Sequence, residues 1–200
     1  CIIQNTQPKS YTYNEIEEKY ESSPKDNIER IDIPQNNIKK FKEVLLYITG
    51  KIGAKPNVGQ TVLYKILYFI DFDYYELFEE QLIGARYIKN HFGPTPVDFL
   101  KITREMEEEN TLSIMTDTYF NKKQTKYLPR KEADLSLFSA RELQHIDNCL
   151  IRYGDKNAKE LSNYSHKDVP WIIAENGEPL EYESVFYRTP DTSVRTYNED

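Results

Sequence analysis

The sequence contains little of what metal sites and disulfide frameworks require. Its 200 residues include two cysteines, Cys1 and Cys149, and three histidines, His91, His145 and His166. No CxxC pair occurs and the histidines stand far apart, so neither zinc-ligand spacing nor a disulfide scaffold is indicated. We therefore expect no metal, no cofactor and reduced thiols, as in a cytoplasmic protein.

Long apolar runs are also missing. No stretch approaches the roughly 18–20 apolar residues that span a bilayer, and we expect no signal peptide. The mean hydropathy of −0.73 and the pI near 5.2 are typical of a soluble, acidic chain. We expect no membrane partner, and the net charge of −7 disfavours nucleic acid, although residues 122–131 form one basic stretch.

Motifs of nucleotide-binding and metal-dependent enzymes do not occur. GxGxxG, GxxxxGKS, HExxH and GxSxG are all missing. Cys149 follows His145 by four residues, and we interpret the pair as a small buried residue beside an imidazole on the helix surface. His91 precedes a Gly-Pro corner, but a lone histidine without a paired carboxylate is a weak catalytic candidate. We expect no enzymatic activity.

Aromatic residues are what the sequence has in abundance, with 16 Tyr and 9 Phe. Tyrosine buries a large ring and keeps a polar hydroxyl at its rim, which suits both cores and interfaces. A chain of this length fits one domain of ordinary size with some extra length. The composition therefore favours a binding module over an enzyme.

Hydrophobic periodicity predicts an α+β fold that is predominantly helical. We expect a central buried helix packed by amphipathic helices, with a small antiparallel β-sheet or hairpin. Predicted helices cover 36–52, 58–80, 96–110, 139–154 and 157–166, and predicted strands cover 85–92, 112–118 and 124–129. Thr95 is the expected N-cap of the third helix, and Ser139 with Glu142 forms a capping box.

The predicted central helix, 58–80, carries three charged residues among its apolar ones. Lys65, Asp71 and Asp73 need either solvent or partners, because a buried unpaired charge is costly. We favour a single solvated stripe over buried pairing.

The chain divides into three parts by composition. Residues 1–35 are polar and are interpreted as an arm or the remnant of an upstream segment. Residues 36–182 form the expected domain, which closes on a turn beginning at Pro170 with Trp171 buried. Residues 183–200 are expected to be a peripheral tail.

Residues 64–100, "YKILYFIDFDYYELFEEQLIGARYIKNHFGPTPVDFL", resemble the central signature of the Panacea domain family, known from SocA-type antitoxins. The matching positions are Lys65, Leu67, Tyr68, Asp71, Tyr74, Gly84, Tyr87, Gly93, Pro94 and Pro96. Ile70 departs from the alanine that is usual there. Residues 135–182 resemble the closing segment of the family through Tyr153, Gly154, Ala158, Leu161, Ser162, Ser165, His166, Pro170 and Trp171.

The resemblance implies an antitoxin that neutralises a cognate protein toxin by direct contact, with no enzymatic activity. The alternative is an adaptor that delivers a toxin or client to a Clp protease, and a nucleic-acid-binding regulator ranks last. Some members of the family carry an upstream DNA-binding domain, and a sequence that starts at Cys1 leaves that open. The identity of the toxin and the oligomeric state are also left open.

Two sets of functional residues are predicted from the family motif and from the enrichment of tyrosine at protein interfaces. The predicted partner-binding residues are Tyr68, Asp71, Tyr74, Tyr87, His91 and Phe92. The predicted structural residues are Lys65, Gly84, Gly93, Pro94, Pro96 and Trp171. We expect the Gly-Pro corner to hold His91 and Phe92 against the central helix.

Overall fold

The computed structural model describes residues 35–196, so the predicted arm lies outside the described residues except for Gln35. The α-helices in this part of the chain are α1 (Gln35–Ile52), α2 (Gln60–Phe78), α3 (Phe99–Glu108), α4 (Ala140–Tyr153), α5 (Ala158–Ser165) and α6 (Val169–Ile173). The strands are β1 (Tyr87–Ile88), β2 (Thr95–Pro96), β3 (Leu112–Tyr119) and β4 (Lys122–Pro129). Two 3-10 helices cover Leu135–Leu137 and Tyr182–Tyr187.

Helix α2 forms the centre of the domain, as predicted. Most of its residues are buried, because apolar side chains occur on nearly every side of the helix. It contacts α4, α5, β2, β4 and the 182–187 helix. Helix α1 packs against β4 and α3 with its stripe of Phe41, Leu45, Ile48 and Ile52 turned inward. The predicted helical α+β class is confirmed.

The strands form two separate antiparallel pairs. Strands β3 and β4 make a hairpin in continuous register from Leu112↔Pro129 to Tyr119↔Lys122. Its two-residue turn, Phe120–Asn121, lies within the predicted gap of 119–123, and both strands extend closer to the turn than predicted. The predicted strand 85–92 is only β1, which pairs with β2 through Tyr87↔Pro96 and Ile88↔Thr95.

Helix ends follow local capping signals where the side chains can reach the backbone. The predicted capping box of Ser139 and Glu142 begins α4, and Asn157 begins α5 in the same way. Thr95, however, is not an N-cap: it pairs in β2, and the third helix begins at Phe99. The expected start at residue 96 is wrong because Thr95 and Pro96 are held by pairing with β1 rather than by helical geometry.

The predicted solvated stripe on the central helix is wrong. Lys65, Asp71 and Asp73 are all buried. Each of them has a hydrogen-bond partner outside α2, and the sequence alone could not predict these partners. Asp73 accepts hydrogen bonds from Tyr153 Oη at 3.1 Å and Arg188 Nη1 at 2.8 Å.

Residues 183–188, expected to belong to a peripheral tail, pack onto the central helix instead. Val185 is fully buried, and the buried Arg188 guanidinium bridges three carboxylates. It donates to Asp73 and Glu76 at 2.8 Å each and to both oxygens of Asp168 at 2.8 and 2.6 Å. The folded unit therefore extends past residue 182, because the core carboxylates take their counter-charge from this segment.

None of the helices within residues 35–196 has the length and apolar content needed to cross a membrane.

Candidate functional site

The corner at Gly93 and Pro94 rests directly on the central helix. Gly93 has φ +99, and a Cβ there would lie 2.4 Å from Ser165 Oγ and 2.7 Å from Lys65 Cε. Only glycine allows both this backbone conformation and this close approach. The buried Lys65 Nζ donates to the Pro94 carbonyl at 2.7 Å and thereby fixes the corner. Burial lowers the pKa of Lys65 to about 7.

Asp71 fixes the chain between α2 and β1. Its carboxylate accepts the backbone N–H groups of residues 83, 84 and 85 at 2.7, 3.3 and 3.2 Å. It also accepts the hydroxyl of Tyr87 at 3.0 Å and lies 3.2 Å from the hydroxyl of Tyr182, which shares its proton with the Ala85 carbonyl at 2.7 Å. Burial raises the pKa of Asp71 to about 6, and the donated hydrogen bonds oppose that rise. This aspartate organises backbone and does not face a partner.

A groove opens beside this corner, and we call it the hairpin groove. Its walls are the turn end of the β3–β4 hairpin, the first turns of α2 and α5, and residues 91–92. Its volume is about 1000 Å³. That is at the upper end of the roughly 300–1,000 Å³ found for small-molecule sites, and the groove is open along the exposed hairpin.

Two aromatic pairs stand at the edges of the hairpin groove. His91 packs edge-on against Phe92, which is 64% exposed, and Tyr119 packs edge-on against Phe120, which is 82% exposed. Large exposed aromatic rings that line one concave surface are a feature of binding sites.

Phe120 also has an unusual backbone. Its φ of 45 and that of Asn121, 59, place both turn residues in the left-handed region. Asn tolerates this region, whereas a bulky aromatic residue is strained there. The exposed ring gains little from burial that could offset the strain, which points to a role outside the fold.

The cations of the hairpin groove have no acidic neighbours in its wall. Lys122 and Lys123 of β4 and Lys159 of α5 line the groove, and none of the described residues that line it is Asp or Glu. Most lysines of α1, in contrast, pair with carboxylates, as Lys40 does with Glu142 and Lys42 with Glu109. The groove is a local basic surface on a chain of net charge −7.

His166 closes the groove on the α5 side. Its ring stacks on Trp171 with centroids 4.2 Å apart, and its buried Nε2 has no hydrogen-bond partner among the described residues. Burial, together with the charges of Lys65 and His91, lowers the pKa of His166. Trp171, predicted to be buried, is partly exposed, and its Nε1 donates to the Asn90 carbonyl at 3.2 Å.

The structure separates the predicted partner-binding residues into two groups. His91 and Phe92 are exposed and line the groove, whereas Tyr68, Asp71, Tyr74 and Tyr87 are buried in the core. Each of the four has a hydrogen-bond partner for its polar tip: Tyr68 Oη donates to the buried Asp168 at 2.7 Å, and Tyr74 Oη accepts from the exposed Arg141 at 3.0 Å. The expectation that the corner holds His91 and Phe92 against the central helix is wrong, since both side chains turn to solvent.

The predicted structural residues Lys65, Gly93 and Pro94 meet at the corner described above. Pro96 pairs with Tyr87 in the small sheet. Gly84 has φ +71 and donates its N–H to Asp71 at 3.3 Å.

The Cys149–His145 pair is part of the core. Cys149 Sγ lies 3.5 Å from His145 Nε2, which is also 2.9 Å from the Ile70 carbonyl. His145, expected on the helix surface, is buried because the α4 face it occupies packs on α2. Burial raises the pKa of the Cys149 thiol well above its usual range. A protonated, buried thiol is poorly suited to nucleophilic attack.

Sequence reasoning missed Phe120 and Ser162 as groove residues. A usable signal existed for Phe120, because a large aromatic residue beside Asn in a tight hairpin turn is unusual. Ser162 and His166 lie four positions apart on the closing motif, which places them on one helix face. No comparable signal exists for Arg188, because two of its partners, Asp73 and Glu76, lie more than a hundred residues away in the chain.

Comparison with known proteins gives a family but no individual relative. No curated protein and no solved structure matches the chain. The model of the family described as Antitoxin SocA-like, Panacea domain, matches residues 63–172, a range that runs from α2 through the corner and the hairpin to the Trp171 turn. Since this match covers more than half of the 200 residues, the chain belongs to the Antitoxin SocA-like, Panacea domain family.

Proposed function

We propose that this protein is an antitoxin that neutralises one cognate protein toxin by direct contact. Membership of the SocA-like antitoxin family carries the proposal. The hairpin groove supports it, because the groove offers exposed aromatic rings on rigid elements at a surface of the matched domain. A preformed aromatic surface binds a protein with little ordering cost.

The proposal assigns no bond-making step to the protein. Buried polar groups of the core such as the Asp71 carboxylate and the Arg188 guanidinium are occupied by intramolecular hydrogen bonds. The Cys149 thiol is held protonated by burial. Such a protein acts by forming a complex with its partner.

Co-expression with the product of the adjacent gene tests the proposal. If that product is a toxin, the wild-type chain restores growth and the two proteins co-purify. Absence of both rescue and complex would contradict the proposal.

The same experiment separates blocking from delivery to a Clp protease. Under blocking, the amount of toxin in the rescued cells stays constant after synthesis is stopped. Under delivery, the toxin disappears, and the loss depends on the protease.

A further inference from the structure

The charge and the aromatic edges of the hairpin groove point to the chemistry of its occupant. We propose that the groove binds an acidic segment of the partner polypeptide, with carboxylates placed on Lys122, Lys123 and Lys159 and an apolar side chain between the aromatic edges. This inference rests on the proposed function in so far as the partner is the toxin.

The positive charge of the hairpin groove favours an acidic occupant. Three lysines line the groove and no carboxylate among the described lining residues neutralises them. None of the three forms an ion pair within residues 35–196, whereas Lys51, Lys55 and Lys131 do. Unpaired positive charges in a concave surface attract an anion and help to orient it.

The overall negative charge does not prevent this attraction. At physiological ionic strength the Debye length is about 8 Å, so distant carboxylates are largely screened from a ligand in the groove. The lysines of the groove wall, which lie nearest to the ligand, therefore contribute most to the local potential.

The exposed aromatic rings of the groove favour an occupant with an apolar side chain. Phe120 is 82% exposed and has the left-handed backbone that bulky residues avoid. Phe92 stands in the same groove and is 64% exposed. These rings would lose contact with water only when a partner covers them, and burial of aromatic rings is a principal source of interface affinity.

A single-stranded nucleic acid also combines negative charge with stackable rings, but the groove fits it less well. Three lysines would contact at most about three phosphates, and non-specific binding weakens steeply with salt at a slope near −0.7 per contact. Affinity from so few phosphate contacts is low. A protein segment needs fewer charges because its apolar side chains supply part of the binding energy.

Binding of synthetic probes to the full chain tests the inference by fluorescence anisotropy. The probes are a short peptide rich in Asp and Glu with interspersed Phe, the same peptide with lysine at every acidic position, and a single-stranded oligonucleotide. We expect the acidic peptide to bind and its lysine counterpart not to bind. Absence of binding by the acidic peptide, or tighter binding by the oligonucleotide, would overturn the inference.

Charge variants locate the binding. The double change Lys122→Glu and Lys123→Glu should raise the Kd of the acidic peptide by roughly tenfold or more, because both cations become repulsive. Lys39→Glu with Lys101→Glu is the matched control, since both lysines are exposed and lie outside the groove. An equal loss in both double variants would overturn the inference, because overall charge would then explain it.

Variants of the turn separate binding from folding. Phe120→Gly removes the ring and relieves the backbone, so we expect the Tm to stay constant or rise while the Kd increases by roughly tenfold. Asn121→Gly is the matched control in the same turn and should leave the Kd unchanged within about twofold. Unchanged binding by Phe120→Gly would contradict a role for the ring.

Growth rescue with the adjacent gene product then distinguishes this inference from the proposed function. If the wild-type chain and the Lys122→Glu, Lys123→Glu variant rescue equally well, the antitoxin function stands and the inference is wrong. If the variant alone fails to rescue, both are supported. If the wild-type chain does not rescue, the antitoxin proposal is contradicted and the peptide titrations decide the inference alone.

Discussion

Single residues of the central helix carry charges that the fold needs. Asp71 accepts hydrogen bonds from three consecutive backbone N–H groups and two tyrosine hydroxyls, and so fixes the chain that leads to the corner. Its match to the family motif therefore reflects the organisation of backbone. The same holds for Lys65, which fixes the Pro94 carbonyl.

We predict that Asp71→Ala lowers the free energy of unfolding by at least about 3 kcal/mol, because several buried donors would lose their acceptor. Urea denaturation followed by circular dichroism measures the change. Asp147→Ala is the matched control: Asp147 accepts from Lys51 Nζ at 2.7 Å and from Tyr47 Oη at 2.9 Å at a partly exposed site, and its loss should cost about 1 kcal/mol. Similar losses in the two variants would contradict the organising role of Asp71.

At the scale of elements, the segment that follows the 182–187 helix completes the core. Arg188 compensates Asp73, Glu76 and Asp168, all of them buried. Burial raises the pKa of Asp73 to about 6, Arg188 opposes that rise, and Asp168 adds to it. This segment therefore supplies the positive charge that faces the buried carboxylates of α2.

We predict that Arg188→Met destabilises the protein by about 3–5 kcal/mol, because it leaves uncompensated carboxylates in the core. Thermal and urea unfolding measure the loss. Lys167→Met removes a surface cation that lies 3.9 Å from Asp191, and we expect a change of about 1 kcal/mol or less. A mild effect of Arg188→Met would show that the segment is dispensable.

Other elements follow from local signals. The helices α2, α4 and α5 agree with their predicted positions because apolar periodicity and capping residues are local properties. The predicted start of α3 is wrong because Thr95 and Pro96 pair with β1. This contact joins two segments, and neither segment alone predicts it.

For the whole molecule, stability should depend on pH through Lys65. Its pKa is about 7 in the folded protein and about 10.4 in an unfolded chain. Between these values the unfolded chain binds more protons, so the free energy of unfolding rises with pH from about 7 towards 9. Below about pH 7 Lys65 is protonated in both the folded and the unfolded state. The full free-energy cost of burying its charge then opposes folding.

Lys65→Met should remove most of this rise, since methionine fills similar space without a charge. Urea titrations at pH values across that window measure it, with wild type and variant compared at each pH. The carboxyls of Asp71 and Asp73, whose pKa values are about 6, titrate below the window. An equal rise in the variant would show that Lys65 is not its source.

The candidate site shows the same division between local and distant information. His91 and Phe92 were identified from the sequence because they flank a rigid corner, and both line the groove. Tyr68, Tyr74 and Tyr87 were assigned to the same surface but are buried, since a tyrosine in a motif can satisfy its hydroxyl inside the core equally well. Exposure depends on what packs over a residue, and sequence spacing does not contain that information.

The sequence by itself determined the helical α+β class, the central apolar helix, the caps of α4 and α5, and the family, because each depends on residues close together in the chain. Only the tertiary structure decided where the charges of α2 find their partners, that the segment to Arg188 belongs to the core, and that the β3–β4 hairpin meets α5 and the corner in a basic, aromatic groove. Those features join segments that are distant in the chain, and the free energy of desolvating a charge or a ring depends on the neighbours that folding brings to it.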